Sequence, residues 1–82
     1  MYSLFLRFRL EGYFIKEYST VTGKSYNPDE CVFITNALQT YKYLHHNAEL
    51  LDIFCGNDNR LIFVFDRKGT KDLYDKWCKH EL

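Results

Sequence analysis

The apolar run LIFVF at residues 61–65 constrains the fold of this chain more than any other feature. Five consecutive apolar residues, rich in β-branched and aromatic side chains, are typical of a short strand. A strand that is apolar at every position has to bury both of its faces, whereas an alternating strand buries one. The run therefore predicts a central strand, with helices on one face of its sheet and another element or a partner on the other.

Four other segments have strand-like patterns. Residues 4–10 alternate Leu4, Leu6, Phe8 and Leu10 with Phe5, Arg7 and Arg9, which is the two-residue period of a strand with one buried face. The Glu11-Gly12 pair predicts a hairpin turn into a second strand at 13–18, because glycine tolerates positive φ. A third strand is predicted at 31–35. A second hairpin is predicted between 50–54 and 61–65, joined by the turn-rich segment 55–60.

Two segments have the spacing of amphipathic helices. The first begins after Asn36, which Gln39 follows three residues later, close to the pattern of a capping box. The second begins after Thr70, which is placed to cap it. Apolar residues at three- and four-residue spacing are expected to face the sheet. In the first helix they are Ala37, Leu38, Tyr41, Leu44 and Ala48, and in the second they are Leu73, Tyr74, Trp77 and Cys78.

These elements predict an α+β fold in the order β-β-β-α-β-β-α, with a mostly antiparallel sheet of about five strands and two helices packed on it. A chain of 82 residues supports one domain with one modest core. We therefore expect a single compact domain over residues 1–82. The segment 19–30 contains Gly23, Asn27 and the only proline, Pro28, and predicts a mobile loop.

Charge and cysteine content exclude several classes of protein. The 11 basic residues balance 11 acidic ones, whereas domains that bind by neutralising phosphates usually carry a basic excess. A total near zero favours self-association. Cys31, Cys55 and Cys78 are an odd number without C-x-x-C spacing, which indicates reduced thiols and a cytoplasmic location. No apolar stretch approaches the roughly 18 residues needed to span a bilayer.

The sequence predicts a protein that is not an enzyme, with no catalytic residue, no metal and no cofactor. Adjacent residues on a helix point about 100° apart, so His45 and His46 do not readily share one ion. The three cysteines lie in predicted strand or helix-stripe positions, where a thiol usually acts as a small hydrophobic group. The P-loop, dinucleotide-binding and zinc-protease motifs are absent from the sequence.

The block CVFITNALQTYKYLHHNAELLDIFCGNDNRLIFVFDRKGTKDLYDKW, residues 31–77, resembles a group of small uncharacterised domains of Firmicutes and their prophages. Those domains combine a strand ending at a helix cap, a helix with a tyrosine-leucine pair near its end, an Asn-rich hairpin and a strand close to FVF. The matching positions here are Phe33, Leu38, Tyr43, Leu44, Asn57, Asn59, Phe63, Val64 and Phe65. The chain departs from that pattern at residues 45–47, His-His-Asn, where a glycine commonly ends the helix. The resemblance implies a phage or prophage origin and assigns no catalytic residue.

Aromatic content predicts the function. Seven Phe, seven Tyr and one Trp are many for a core of this size. Tyrosine is enriched at interfaces because it offers a large rigid contact together with a hydroxyl. We expect a small protein-interaction module whose interface residues are Tyr13, Tyr18, Tyr26 and Tyr43. The resemblance adds a more specific role, an inhibitor or regulator of a bacterial host enzyme such as a defence nuclease.

A second interpretation is a weak nucleic-acid-binding accessory protein. Phe5, Arg7 and Arg9 would lie on the outer face of the first strand, where an aromatic ring can stack on a base and two arginines can contact phosphates. The alternative for these residues is an ordinary solvated strand face. A homodimer is compatible with both interpretations.

Overall fold

The computed structural model describes residues 16–82, and the elements in this range have the order β-β-β-α-β-β-α. The strands are β1 (Glu17–Tyr18), β2 (Ser25–Tyr26), β3 (Cys31–Ile34), β4 (Leu50–Cys55) and β5 (Leu61–Asp66), and the α-helices are α1 (Ala37–His45) and α2 (Lys71–Cys78). Short 3-10 helices at Pro28–Glu30 and Lys68–Thr70 precede β3 and α2. The predicted α+β class, with about five strands and two helices, is confirmed.

The five strands form two antiparallel sheets. β1 pairs with β2, and the other three strands lie in the order β3-β5-β4. The predicted central position of the run at 61–65 is thus confirmed. Val64 and Phe65 are fully buried, at 0% exposure each. The predicted hairpin between β4 and β5 is also present, and Gly56 closes its turn by donating its N–H to the Arg60 carbonyl at 2.7 Å.

Different elements cover the two faces of the three-stranded sheet. Phe65 packs with Ile34 and Tyr43, and Leu73 and Trp77 of α2 contact the same cluster. On the opposite face Val64 packs with Cys31 and with Tyr26 of the β1–β2 hairpin. Helices therefore cover one face and the hairpin covers the other, so both sides of the central strand are buried.

Helix α1 begins as predicted but turns a different face to the core. The Asn36 side chain accepts the Gln39 N–H at 2.9 Å, which caps the helix. Thr40 and Tyr43 are buried, whereas the three large members of the predicted stripe are exposed: Leu38, Tyr41 and Leu44. The polar atoms of the inward face are satisfied locally, since the Thr40 hydroxyl donates to the Asn36 carbonyl at 3.0 Å. This satisfaction lets a mixed face pack against the sheet.

The end of α1 explains how the chain dispenses with a glycine after the helix. Asn47 adopts φ +68°, in the left-handed region, and donates its N–H to the Leu44 carbonyl at 3.0 Å. The Ala48 N–H donates to the Tyr43 carbonyl at the same distance. Asparagine is the residue that most often replaces glycine in this helix-terminating conformation.

Helix α2 differs from expectation at its start and on its outer side. The Thr70 side chain does not cap it, because its hydroxyl donates to the Asp66 carbonyl at 2.9 Å. The Asp66 carboxylate accepts the Gly69 N–H at 2.8 Å and holds the preceding 3-10 turn. Leu73 packs against the core as predicted, but Tyr74 of the predicted stripe is 54% exposed.

The segment 19–30 is more regular than the loop predicted from its composition. It contains β2 and the 3-10 helix Pro28–Glu30. Ser19 is buried, and its hydroxyl accepts the N–H groups of Val21 and Thr22 at 3.1 and 3.0 Å. The predicted strand at 4–10 and the Glu11-Gly12 turn lie outside the described residues. Within residues 16–82, no helix has the length and apolar character that crossing a membrane requires.

Candidate functional site

The four tyrosines expected at an interface have different positions. Tyr13 lies outside the described residues. Tyr18 is 62% exposed and remains available to a partner. Tyr26 and Tyr43 are buried, at 6% and 1% exposure, so most of each side chain packs in the core. The alternative nucleic-acid face of Phe5, Arg7 and Arg9 lies outside the described residues.

Tyr26 is held in the core by a hydrogen bond to a carboxylate. Its hydroxyl donates to Asp52 Oδ2 at 2.5 Å, and Asp52 Oδ1 accepts the Ile53 N–H at 2.8 Å. Burial, followed by the hydrogen bond to Asp52, raises the pKa of Tyr26 above its ordinary value. Burial and the nearby Asp52 charge also raise the pKa of Glu17. The hydrogen bond between Tyr26 and Asp52 ties the β1–β2 hairpin to β4, beside the irregularity between Leu50 and Asp52.

Of the three cysteines, one has a buried thiol and two are exposed. Cys31 is buried, and its thiol donates to the Asn27 carbonyl at 3.3 Å. Burial raises the pKa of Cys31 to about 11, with the Asp66 charge acting in the same direction. The thiol is therefore protonated at neutral pH and a poor nucleophile. Cys55 and Cys78 are exposed, contrary to the expectation that the cysteines are buried.

The histidines of α1 take part in ring contacts. The His45 ring stacks on Tyr41 with centroids 5.8 Å apart, and it lies 6.0 Å from the His46 ring at 81°. Among residues 16–82 no group of three or more His, Cys, Asp or Glu side chains has a geometry that could hold a metal ion.

An open groove of about 660 Å³ runs beside β3 between the two helices. β3 contributes Val32 and Ile34, and α1 contributes Gln39 and Tyr43. The Tyr43 hydroxyl accepts a hydrogen bond from Gln39 Nε2 at 3.0 Å, which fixes both side chains against the groove. Burial raises the pKa of Tyr43, so its hydroxyl stays neutral. The surface of the groove is mostly apolar, with a small number of hydrogen-bonding groups.

The third wall of the groove carries positive charge. Arg67, Lys71 and Tyr74 line it and are spaced four and three residues apart, which places them on one side of the helical segment leading into α2. No acidic side chain is among the lining residues described. Lys71 pairs with Asp75 at 3.5 Å, but both side chains are well exposed. Ion pairs of this kind contribute little to stability.

The outer edge of β3 follows from the register of the sheet. The Arg67 N–H donates to the Glu30 carbonyl at 2.9 Å, and the ladder continues from there one residue at a time into β3. Because hydrogen-bonded pairs alternate in an antiparallel sheet, Val32 and Ile34 direct their backbone groups at β5 and Phe33 directs its own away. Within residues 16–82 no strand pairs with this edge of β3.

Phe33 adds an exposed ring beside this edge. It pairs in register with Val64 and so lies on the hairpin face of the sheet. Its ring contacts Phe54 edge-to-face, with centroids 6.2 Å apart, yet the residue remains 42% exposed. The outer edge of β3 thus has an apolar groove on one face and an exposed aromatic ring on the other.

Sequence patterns did not identify the groove or the outer edge of β3, although one wall of the groove has a recognisable residue spacing. The spacing of Arg67, Lys71 and Tyr74 is visible in the sequence, but it reads equally well as the solvated side of a helix. The edge of β3 that no strand of residues 16–82 pairs with depends on strand order, which no local pattern specifies.

No protein-family model, curated protein or solved structure matches the chain. The resemblance to small Firmicutes and prophage domains stays a prediction.

Proposed function

We propose that this chain is a non-catalytic protein-interaction module that binds an extended segment of a partner protein along the outer edge of β3. The observation that carries the proposal is the conjunction of an edge without a paired strand in the described residues and an apolar groove running beside it. Strand addition to an exposed sheet edge is a recurring mode of peptide recognition.

The geometry gives each part of an added strand a place to bind. The N–H and carbonyl of Phe33 can pair with the backbone of the partner. Side chains of an added strand alternate between faces, so every second one enters the groove and the others lie beside the Phe33 ring. Each backbone hydrogen bond adds only about 1 kcal/mol, and β3 is four residues long. Most of the affinity must therefore come from apolar side chains in the groove, at about 25 cal/mol per Å² buried.

The more specific role, as an inhibitor or regulator of another protein, is proposed from the sequence. A partner that is a bacterial host enzyme, and a function as its inhibitor or regulator, are supported by the prophage resemblance. A cytoplasmic location is supported by the three free cysteines. A homodimer, with β3 of one copy pairing with β3 of another, is an alternative occupant of the same edge. Sedimentation at increasing concentration tests it, and a stable dimer that excludes peptide would contradict the proposal.

Binding selections with two peptide libraries test the proposed function. Both alternate apolar residues with Ser or Thr; one is anchored through its N-terminus and ends in a free carboxylate, and the other is anchored through its C-terminus. We expect at least one library to yield peptides that bind the protein with a single site. Failure of both libraries, measured up to millimolar concentration by fluorescence anisotropy, would overturn the proposal.

Backbone methylation shows whether the bound peptide is a strand. Methylating the peptide nitrogen that faces Phe33 removes a hydrogen bond to the edge and is expected to abolish binding. The matched control is methylation one residue along the peptide, where the nitrogen faces solvent and the affinity should change little. Equal sensitivity at both positions would contradict strand addition.

A further inference from the structure

The side chain of Arg67 closes one end of the β3 edge. Its Nη2 atom donates to the carbonyls of Asp29 and Cys31 at 2.8 and 3.2 Å. The Cys31 carbonyl is an outward-facing group of β3, one that a longer added strand would use. An added strand therefore stops at Cys31, with its terminal group beside the guanidinium.

Arg67 retains donors for that terminal group. A guanidinium has five N–H donors in a planar fork, and both hydrogen bonds come from Nη2. The N–H groups on Nε and Nη1 have no acceptor among residues 16–82, and within this range Arg67 forms no ion pair. Such a fork matches the two oxygens of a carboxylate.

The direction of β3 decides which terminus meets Arg67. β3 runs from Cys31 to Ile34, so a strand added antiparallel to it ends at Cys31 with its C-terminus. A strand added in the parallel sense would bring an N-terminal ammonium group to the guanidinium, where like charges repel. Lys71 lies one helical turn beyond Arg67 on the same wall and adds a second positive charge.

We infer that the groove recognises the free C-terminus of its partner. The occupant is an extended, apolar C-terminal segment that runs antiparallel to β3, with its terminal carboxylate bound by Arg67 and its side chains in the groove. This inference rests on the proposed function and specifies the chemistry of the partner that the edge accepts.

Matched peptides test the inference on the intact chain. A peptide selected from the library with free C-termini is made in three forms: as the free acid, as the C-terminal amide, and as an amide with Glu at the last position. A carboxylate on arginine contributes more than a neutral hydrogen bond, so we expect the free acid to bind about tenfold or more tighter than either amide. The Arg67→Gln variant should reduce that ratio to near one. The Arg60→Gln variant is the control, because Arg60 lies in an exposed turn 3.5 Å from Asp58 and outside the groove.

The outcomes separate the inference from the proposed function. Equal binding of free acid and amide to the wild-type protein, or binders only in the library anchored through its C-terminus, would overturn the inference and leave strand addition standing. A Glu amide that binds as tightly as the free acid would overturn recognition of a chain terminus. These comparisons use the wild-type protein, so they remain decisive if Arg67→Gln destabilises the fold. Absence of any binding peptide would overturn the proposed function itself.

Discussion

The hydroxyl of Tyr26 shows how a single polar atom shapes the core at the residue scale. It donates to Asp52, a carboxylate 26 positions away that is itself 9% exposed. Without this bond the buried phenol would lose its solvation without compensation, and the Asp52 carboxylate would keep only the hydrogen bond from the Ile53 N–H. Tyr43 is satisfied in a similar way by Gln39, four residues earlier on the same helix. Both tyrosines therefore stabilise the fold.

Replacing Tyr26 with Phe should lower the free energy of unfolding by roughly 2 kcal/mol near pH 7, because Asp52 loses its donor. The pKa of Tyr26 is raised in the folded state, so the unfolded chain releases this proton first, from about pH 10 upward. The stability that Tyr26 contributes is complete below pH 10 and falls as the pH rises above it. Urea unfolding from pH 7 to 11 should show the difference between wild type and variant narrowing above pH 10. A constant difference would contradict the assignment.

Alkylation by iodoacetamide at pH 7.5 should label Cys55 and Cys78 and leave Cys31 unmodified. Cys31 is buried and its pKa is raised to about 11. Its thiol is therefore inaccessible to the reagent and is not ionised to the reactive thiolate. Intact-mass spectrometry followed by peptide mapping measures the three sites. The control is the same reaction in concentrated urea, where all three should react. Labelling of Cys31 at the rate of Cys55 under native conditions would be inconsistent with this packing.

At the element scale, the helices show which features local sequence determines. The Asn36 cap was predictable because an asparagine at a helix start commonly accepts the backbone N–H of a residue two or three positions later. The inward face of α1 was not, because Leu38 and Tyr41 are as apolar as a core face requires and yet remain exposed. Which face packs inward depends on the shape of the opposing sheet, where Phe65 contacts Tyr43 edge-to-face with centroids 5.4 Å apart.

Two aromatic residues of α2 lie three positions apart but differ in how much of the side chain packs against the core. Trp77 contacts the cluster around Phe65, and its replacement by Ala should cost about 3 kcal/mol. Tyr74, three residues earlier, is 54% exposed, and Tyr74→Ala should cost less than about 1 kcal/mol. Chemical denaturation of the two variants measures the difference. Similar losses for both would show that α2 does not close the core through Trp77.

At the scale of the whole molecule, the central position of β5 and the outer position of β3 have different origins. The apolar run at 61–65 requires other elements to pack on both of its faces, and this requirement is visible in the sequence. The strand order β3-β5-β4 arises from pairing between residues about 30 positions apart, as in the alignment of Phe33 with Val64. Among residues 16–82 that order leaves the outer side of β3 without a paired strand, next to the groove. Single-residue patterns could not reveal the groove, since it is lined by three separate parts of the chain.

Amide hydrogen exchange at Phe33 tests the binding edge most directly. The Phe33 N–H points away from β5, so in the free protein it should exchange faster than the amides of Val32 and Ile34, which pair with β5. Saturation with a selected free-acid peptide should slow Phe33 to the rate of those neighbours. NMR exchange on uniformly labelled protein measures all three amides in one experiment. Slow exchange of Phe33 in the free protein, or a rate that bound peptide does not change, would contradict strand addition at β3.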